Sequence, residues 1–98
     1  MILQTAILNV KPGTASDFES RFRKAQALLS GANGYVSHEL HKCVEEDGRY
    51  MLLVRWRTLS DHIVGFDRSP ARETWDSQLQ EYYDGEPKFE HYIRIRLE

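Results

Sequence analysis

The chain has a single cysteine, Cys43, in 98 residues. This excludes an internal disulfide and a thiolate metal cluster, and leaves Cys43 as a small buried hydrophobe. An excess of one charge sign is missing too: 13 Lys and Arg face 15 Asp and Glu, a formal net charge of −2. No overall field is available to hold a polyphosphate, so nucleic acid is not an expected partner. Apolar runs such as Met51–Val54 fall far short of a bilayer's thickness, so no membrane span is expected. The opening Met1-Ile2-Leu3-Gln4-Thr5 has no basic segment leading into an apolar one, and the cytoplasm is the expected address. A Gly-rich phosphate loop, a G-x-S-x-G elbow, an H-E-x-x-H pair and a cysteine pair are all absent. No cofactor and no metal are therefore expected.

What is present reads as one domain over residues 1–98, a length that supports one modest core. Residues 2–10 are rich in β-formers and stop at the turn signal Lys11-Pro12-Gly13. Ser16 and Glu19 fit a capping box that starts a helix, whose apolar stripe is Phe18, Phe22, Ala25 and Leu29. Gly31 and Gly34 end it. A second strand runs from Tyr35 to Glu45, a hairpin turn follows at Glu46-Asp47-Gly48, and a third strand spans Arg49 to Arg57. Ser60 caps a short helix carrying His62, Ile63 and Phe66. Ser69, with Pro70 at the first helical position, caps another that presents Trp75, Leu79 and Tyr82. Lys88 to Leu97 is the last strand.

The order β-α-β-β-α-β predicts an α+β, ferredoxin-like fold: a four-stranded antiparallel sheet with helices on one face. Were the other face wet, the strands would alternate apolar and polar. They do not. In the third strand Tyr50, Leu52, Val54 and Trp56 point one way while Met51 and Leu53 point the other; Leu3 and Ile7 oppose Ile2 and Leu8 in the first. Two helical segments cannot cover both faces. At roughly 25 cal/mol per Å2, burying ~600 Å2 of apolar surface per subunit is worth on the order of 15 kcal/mol before entropic costs. A homodimer that buries the second face is the expected assembly.

The titratable candidates are His62, on the short helix face shared with Phe66, and His91, on the apolar row of the last strand. With Phe66, Trp75 and Tyr82 they line one predicted pocket between sheet and helices. Aromatic walls with a histidine suit a flat apolar substrate bearing ionisable oxygens, and a histidine titrating near neutrality can remove a phenolic proton. The rim position of the short helix favours His62 over His91 as the base. Each residue also has a plainer reading. Trp75, Leu79 and Tyr82 fit an ordinary core stripe, His91 a bonded core histidine, and His62 a first-turn surface residue. His38 and His41 alternate on the second strand, face opposite ways, and read as dimer-contact or solvent residues rather than a metal pair.

Several stretches together resemble the antibiotic biosynthesis monooxygenase (ABM) domain family. They are the opening strand to Lys11-Pro12-Gly13, Gly34-Tyr35-Val36-Ser37-His38-Glu39-Leu40, and Arg49-Tyr50-Met51-Leu52-Leu53-Val54-Arg55-Trp56. Asp61-His62 with Gly65-Phe66, Ser69-Pro70 with Trp75, and Glu90-His91-Tyr92 complete the set. The resemblance implies a dimeric α+β barrel. Some members oxidise aromatic polyketides or quinols with molecular oxygen, without metal or flavin. A haem-degrading branch relies on an Asn, a Trp and a His whose places fall near Ala6, Phe66 and Asp76, so haem chemistry is not implied here. Two functions stand open: a cofactor-independent monooxygenase of a small aromatic substrate, and a non-catalytic dimeric domain that binds a small ligand or another protein.

Overall fold

The two strands with apolar residues on both faces take the centre of the sheet. In a computed structural model describing all 98 residues, the elements are β1 (Ile2–Asn9), α1 (Ala15–Ser30), β2 (Tyr35–Lys42) and β3 (Arg49–Trp56). A π-helical turn (Asp61–Phe66), α2 (Pro70–Leu79), a 3-10 turn (Gln80–Tyr82) and β4 (Lys88–Ile93) follow. The sheet order is β2-β3-β1-β4 with every neighbouring pair antiparallel, the ferredoxin-like arrangement read from the sequence. No helix is long and apolar enough to cross a membrane.

Period-two alternation decides which side chains enter the core. Gln4, Ala6 and Leu8 of β1 and Tyr50, Leu52, Val54 and Trp56 of β3 are buried beneath the helices. They meet Phe18, Phe22, Ala25 and Leu29 from α1, and Trp75 and Leu79 from α2. The opposite face carries Leu3, Ile7, Met51 and Leu53, paired across strands through Ile7 with Met51 and Thr5 with Leu53. No helix covers that face, and Met51 is 40 % exposed.

Four local expectations give way. Helix α1 begins at Ala15, with Thr14 in the cap position; the Thr14 hydroxyl donates to the Lys11 carbonyl at 2.7 Å instead of capping. Glu19 leaves the predicted box to accept the Tyr50 hydroxyl at 2.5 Å, a long-range partner that outcompetes the local one. Strand β4 stops at Ile93 rather than Leu97 because Ile93 pairs with Ile2, where β1 begins, so residues 94–98 have no neighbour to bond. Cys43 is half-buried with its thiol near Glu45, not a core residue. His38 is neither a solvent nor an outer-face residue: its ring bonds Tyr35 Oη and, at 2.9 Å, Gln26 of α1.

The turn that delivers β2 depends on Gly34, whose φ is +80° and whose added Cβ would lie 2.6 Å from Asp61 Cβ and 2.1 Å from its carboxylate. Rotating Asp61 away cannot relieve the Cβ contact. Gly34→Ala should lower stability by about 1–3 kcal/mol in urea unfolding. Gly13→Ala, with φ +78° and nothing near its new Cβ, should show only the smaller backbone cost. Equal losses in the two variants would contradict this assignment.

Candidate active site

The site grows from the π-helical turn. Its start is fixed by a reciprocal pair: the Thr58 N–H donates to Asp61 Oδ2 at 3.2 Å, and the Asp61 N–H donates to Thr58 Oγ1 at 3.1 Å. At its end the Asp67 N–H donates to the His62 carbonyl at 2.9 Å, a five-residue span in place of the α-helical four. That wide turn carries the Asp67 carboxylate back over the His62 ring, leaving Oδ1 3.2 Å from Nε2.

His62 is 2 % exposed and lies stacked on Trp56, with ring centroids 5.3 Å apart and planes 22° from parallel. Trp56 is itself pinned, its indole N–H donating to the buried Gln4 Oε1 at 2.8 Å. The second nitrogen of His62, Nδ1, is 2.8 Å from Nε2 of His91 on β4. An ionised carboxylate only accepts, so the His62 proton sits on Nε2, facing Asp67. Nδ1 then accepts from His91 Nε2–H, and His91 keeps a lone pair on Nδ1. Burial holds the His62 pKa below its ordinary value; the Asp67 carboxylate pulls it back up, and His91 adds to the lowering. The neutral ring therefore prevails at neutral pH.

Asp67 is shared. It pairs with Arg72 Nη1, while Arg72 Nε reaches both carboxylate oxygens of Asp76, one α-helical turn along, at 3.0 Å each. The guanidinium carbon lies 5.3 Å from the centre of the Phe89 ring.

Beside this network a cavity of about 20 Å3 opens against His62, Gln4, Phe66, Trp75 and Arg72, room for a single water-sized molecule. A cleft of about 490 Å3 adjoins it through the shared walls Leu52, Arg72, Trp75 and Phe89, and reaches Asp76, Tyr83 and Pro87 at the surface. His91 stands exposed two residues from Phe89 on the same face of β4, whereas His62, expected at the rim and favoured as the base, is the buried member of the pair.

Of the residues singled out from the sequence, the structure brings His62, His91, Phe66 and Trp75 together. Phe66 lies 5.9 Å from Trp56 and 6.4 Å edge-on from Trp75, and both line the inner cavity. Tyr82 points elsewhere, packing edge-on against Phe18 at 6.1 Å with Arg21 over its ring. Its neighbour Tyr83 lines the cleft instead. Sequence reasoning passed over Gln4, Asp67, Arg72 and Tyr83. Gln4 did carry a signal, as a polar residue in the helix-facing row of β1; Asp67 carried none without the π-turn. A separate groove between α1 and β2 contains His38, but both ring nitrogens there are occupied by Tyr35 and Gln26.

Fold and site define a ferredoxin-like α+β domain with an aromatic chamber beside a histidine pair. The chain matches the family described as antibiotic biosynthesis monooxygenase over residues 1–78, and it belongs to that family. His91 and Tyr83 lie outside the matched stretch. An uncharacterised Bacillus subtilis protein, YczJ, is 41 % identical over 92 residues, which cover 94 % of this chain and 97 % of that one. A Bordetella bronchiseptica crystal structure named for the same family superposes with a TM-score of 0.93 at 30 % identity, covering 97 % of each chain. SnoaB of Streptomyces nogalater, described as a cofactor-independent oxygenase, superposes with a TM-score of 0.84 over 98 % of this chain and 94 % of its own. At 17 % identity that likeness is one of fold alone.

Proposed function

We propose that the protein is a cofactor-independent monooxygenase that oxidises a small aromatic substrate (a quinol, an anthrone or a polyketide-like ring) with molecular oxygen. The observation that carries this reading is the chain Asp67–His62–His91, which ends on a His91 nitrogen that bonds nothing in the chain, two residues along β4 from Phe89 of the cleft. A fully bonded His91 without a cavity would have favoured the non-catalytic alternative. Family membership and the fold shared with a cofactor-independent oxygenase support the same class.

The chemistry asks little of the protein. The substrate's hydroxyl proton passes to His91 Nδ1, and the Nε2 proton of His91 can move to His62 Nδ1, giving an imidazolium held by Asp67. The resulting phenolate or carbanion gives one electron to dioxygen, and the radical pair recombines as a hydroperoxide on carbon. The O–O bond then breaks: one oxygen stays as a carbonyl, and the other leaves as water with the remaining hydrogen of that carbon and the hydroxyl proton returned by the histidines. Four electrons leave the substrate and four reduce dioxygen. Trp75 and Phe89, which line the cleft, would hold the ring, with Phe66 packed behind Trp75, and together they would keep water from the intermediate. A second copy covering the Leu3, Ile7, Met51 and Leu53 face belongs to the same reading.

Oxygen consumption measured with a panel of hydroquinones and anthrones, without added metal or flavin, tests the proposal. The expected result is enzyme-dependent uptake matched by an oxidised product and lost under nitrogen. A panel that yields no uptake above the uncatalysed rate would sink the catalytic reading.

A further inference from the structure

The cleft contains two hydrogen-bond donors with nothing in the chain to receive them. Arg72 is held by Nε and Nη1 on Asp76 and Asp67, and no hydrogen bond within the chain uses Nη2. Tyr83 lines the same cleft, and its hydroxyl likewise has no partner. No side-chain polar atom is both fully buried and unpaired, so these donors face open space rather than being trapped in the core. Burial, and after it the Asp76 carboxylate, keep the Tyr83 hydroxyl protonated well beyond the ordinary range. It can therefore donate at any physiological pH.

Two fixed donors define the ligand by what they lack. They call for an oxygen acceptor on the substrate, in addition to the hydroxyl that meets His91. The charge around them narrows the choice. Arg72 is already paired with Asp67 and Asp76, and Glu86 lines the cleft as well, so the cleft holds more carboxylate than the guanidinium can offset. A carboxylate or phosphate would enter against that balance, whereas a neutral carbonyl would not.

We infer that Arg72 Nη2 and the Tyr83 hydroxyl select aromatic substrates bearing a neutral carbonyl as well as the reacting hydroxyl, in preference to plain phenols and to aromatic carboxylates. The inference rests on the proposed monooxygenase site and narrows its substrate class. Arg72 and Tyr83 are its specificity-determining residues, distinct from the histidines that take the proton.

The test is anaerobic titration calorimetry of the full chain with 1-naphthol, 4-acetyl-1-naphthol and 4-hydroxy-1-naphthoate. The acetyl compound should bind about 10-fold more tightly than 1-naphthol, and the carboxylate more weakly than the acetyl compound. Tyr83→Phe removes one hydroxyl that bonds nothing in the chain, so it should fold normally and lose about 3- to 10-fold of that preference. Arg72→Lys should lose a similar share, since a lysine reaching Asp67 or Asp76 offers no fixed second edge. An acetyl compound that binds no better than 1-naphthol overturns the inference. So does a preference left intact in both variants, or tightest binding by the carboxylate. Oxygen uptake that depends on His91 would leave the monooxygenase reading standing in each of those cases. Absence of both uptake and binding would remove the two together.

Discussion

His91→Ala should slow oxygen uptake on a verified substrate by about 100- to 10,000-fold, with the circular dichroism of the parent retained. His91 is exposed on an edge strand, so its truncation leaves no core cavity. His62→Ala should be comparably slow for a different reason: His91 would lose the neighbour that receives its Nε2 proton and the link to Asp67. It should also cost stability, because a ring 2 % exposed and stacked on Trp56 leaves a hole. Acid separates the two roles further. The lowered His62 pKa means that the folded state holds the neutral ring below the unfolded value of ~6.5. Stability from this group is thus complete above that value and declines as pH falls toward the folded pKa. Activity, which needs neutral histidine, should fall over the same acidic limb. In His62→Ala the His62 contribution to the acid loss of stability should vanish. If both variants fold and consume oxygen at the parent rate, the histidine mechanism is wrong.

Leu53→Lys should convert the proposed dimer into monomer, aggregate or insoluble protein, read by light scattering behind size exclusion. Leu53 lies mid-face between Thr5 of β1 and Glu39 of β2, on the side no helix covers. The patch of Leu3, Ile7, Met51 and Leu53 is rimmed by charged and polar groups, including the Arg55–Glu39 and His41–Glu39 pairs. An apolar centre with a polar rim is the usual anatomy of a protein interface. An ammonium buried in such a centre, beside a Glu39 already engaged by Arg55 and His41, costs several kcal/mol. Val44→Lys is the matched control, since Val44 is 93 % exposed and should tolerate the charge. A Leu53→Lys protein that stayed a stable dimer would move the interface elsewhere.

Much of the fold was legible because alternation and helical spacing are local signals. Phe18, Phe22, Ala25 and Leu29 announced the buried face of α1, and Ser69-Pro70 announced the start of α2, where Ser69 Oγ accepts the Arg72 N–H. The misses were long-range. Glu19 deserted its box for a tyrosine 31 residues away, and β4 ended where β1 supplied no more partners. The site was half legible. His62 and His91 are separated by 29 residues, yet each lay on a face the topology turns inward. Tyr82 and Tyr83 differ by one position at the end of a helix, where 3-10 winding rotates every side chain. Helical spacing continued past Leu79 therefore favoured Tyr82, while the backbone turned Tyr83 to the cleft. Asp67 and Arg72 act through geometry that no residue type advertises.

The π-turn between His62 and Asp67 makes the proposed proton relay a matter of chain length rather than of residue identity. Five residues separate carbonyl and amide there, one more than an α-helix allows, and this surplus residue swings Asp67 onto the imidazole. A relative with one residue fewer in this turn would keep its histidines, its sheet and its core. The ordinary α-helical winding would then carry the carboxylate to another side of the helix. Related chains can thus gain or lose proton transfer by a single insertion or deletion, with every chemically active side chain still in place.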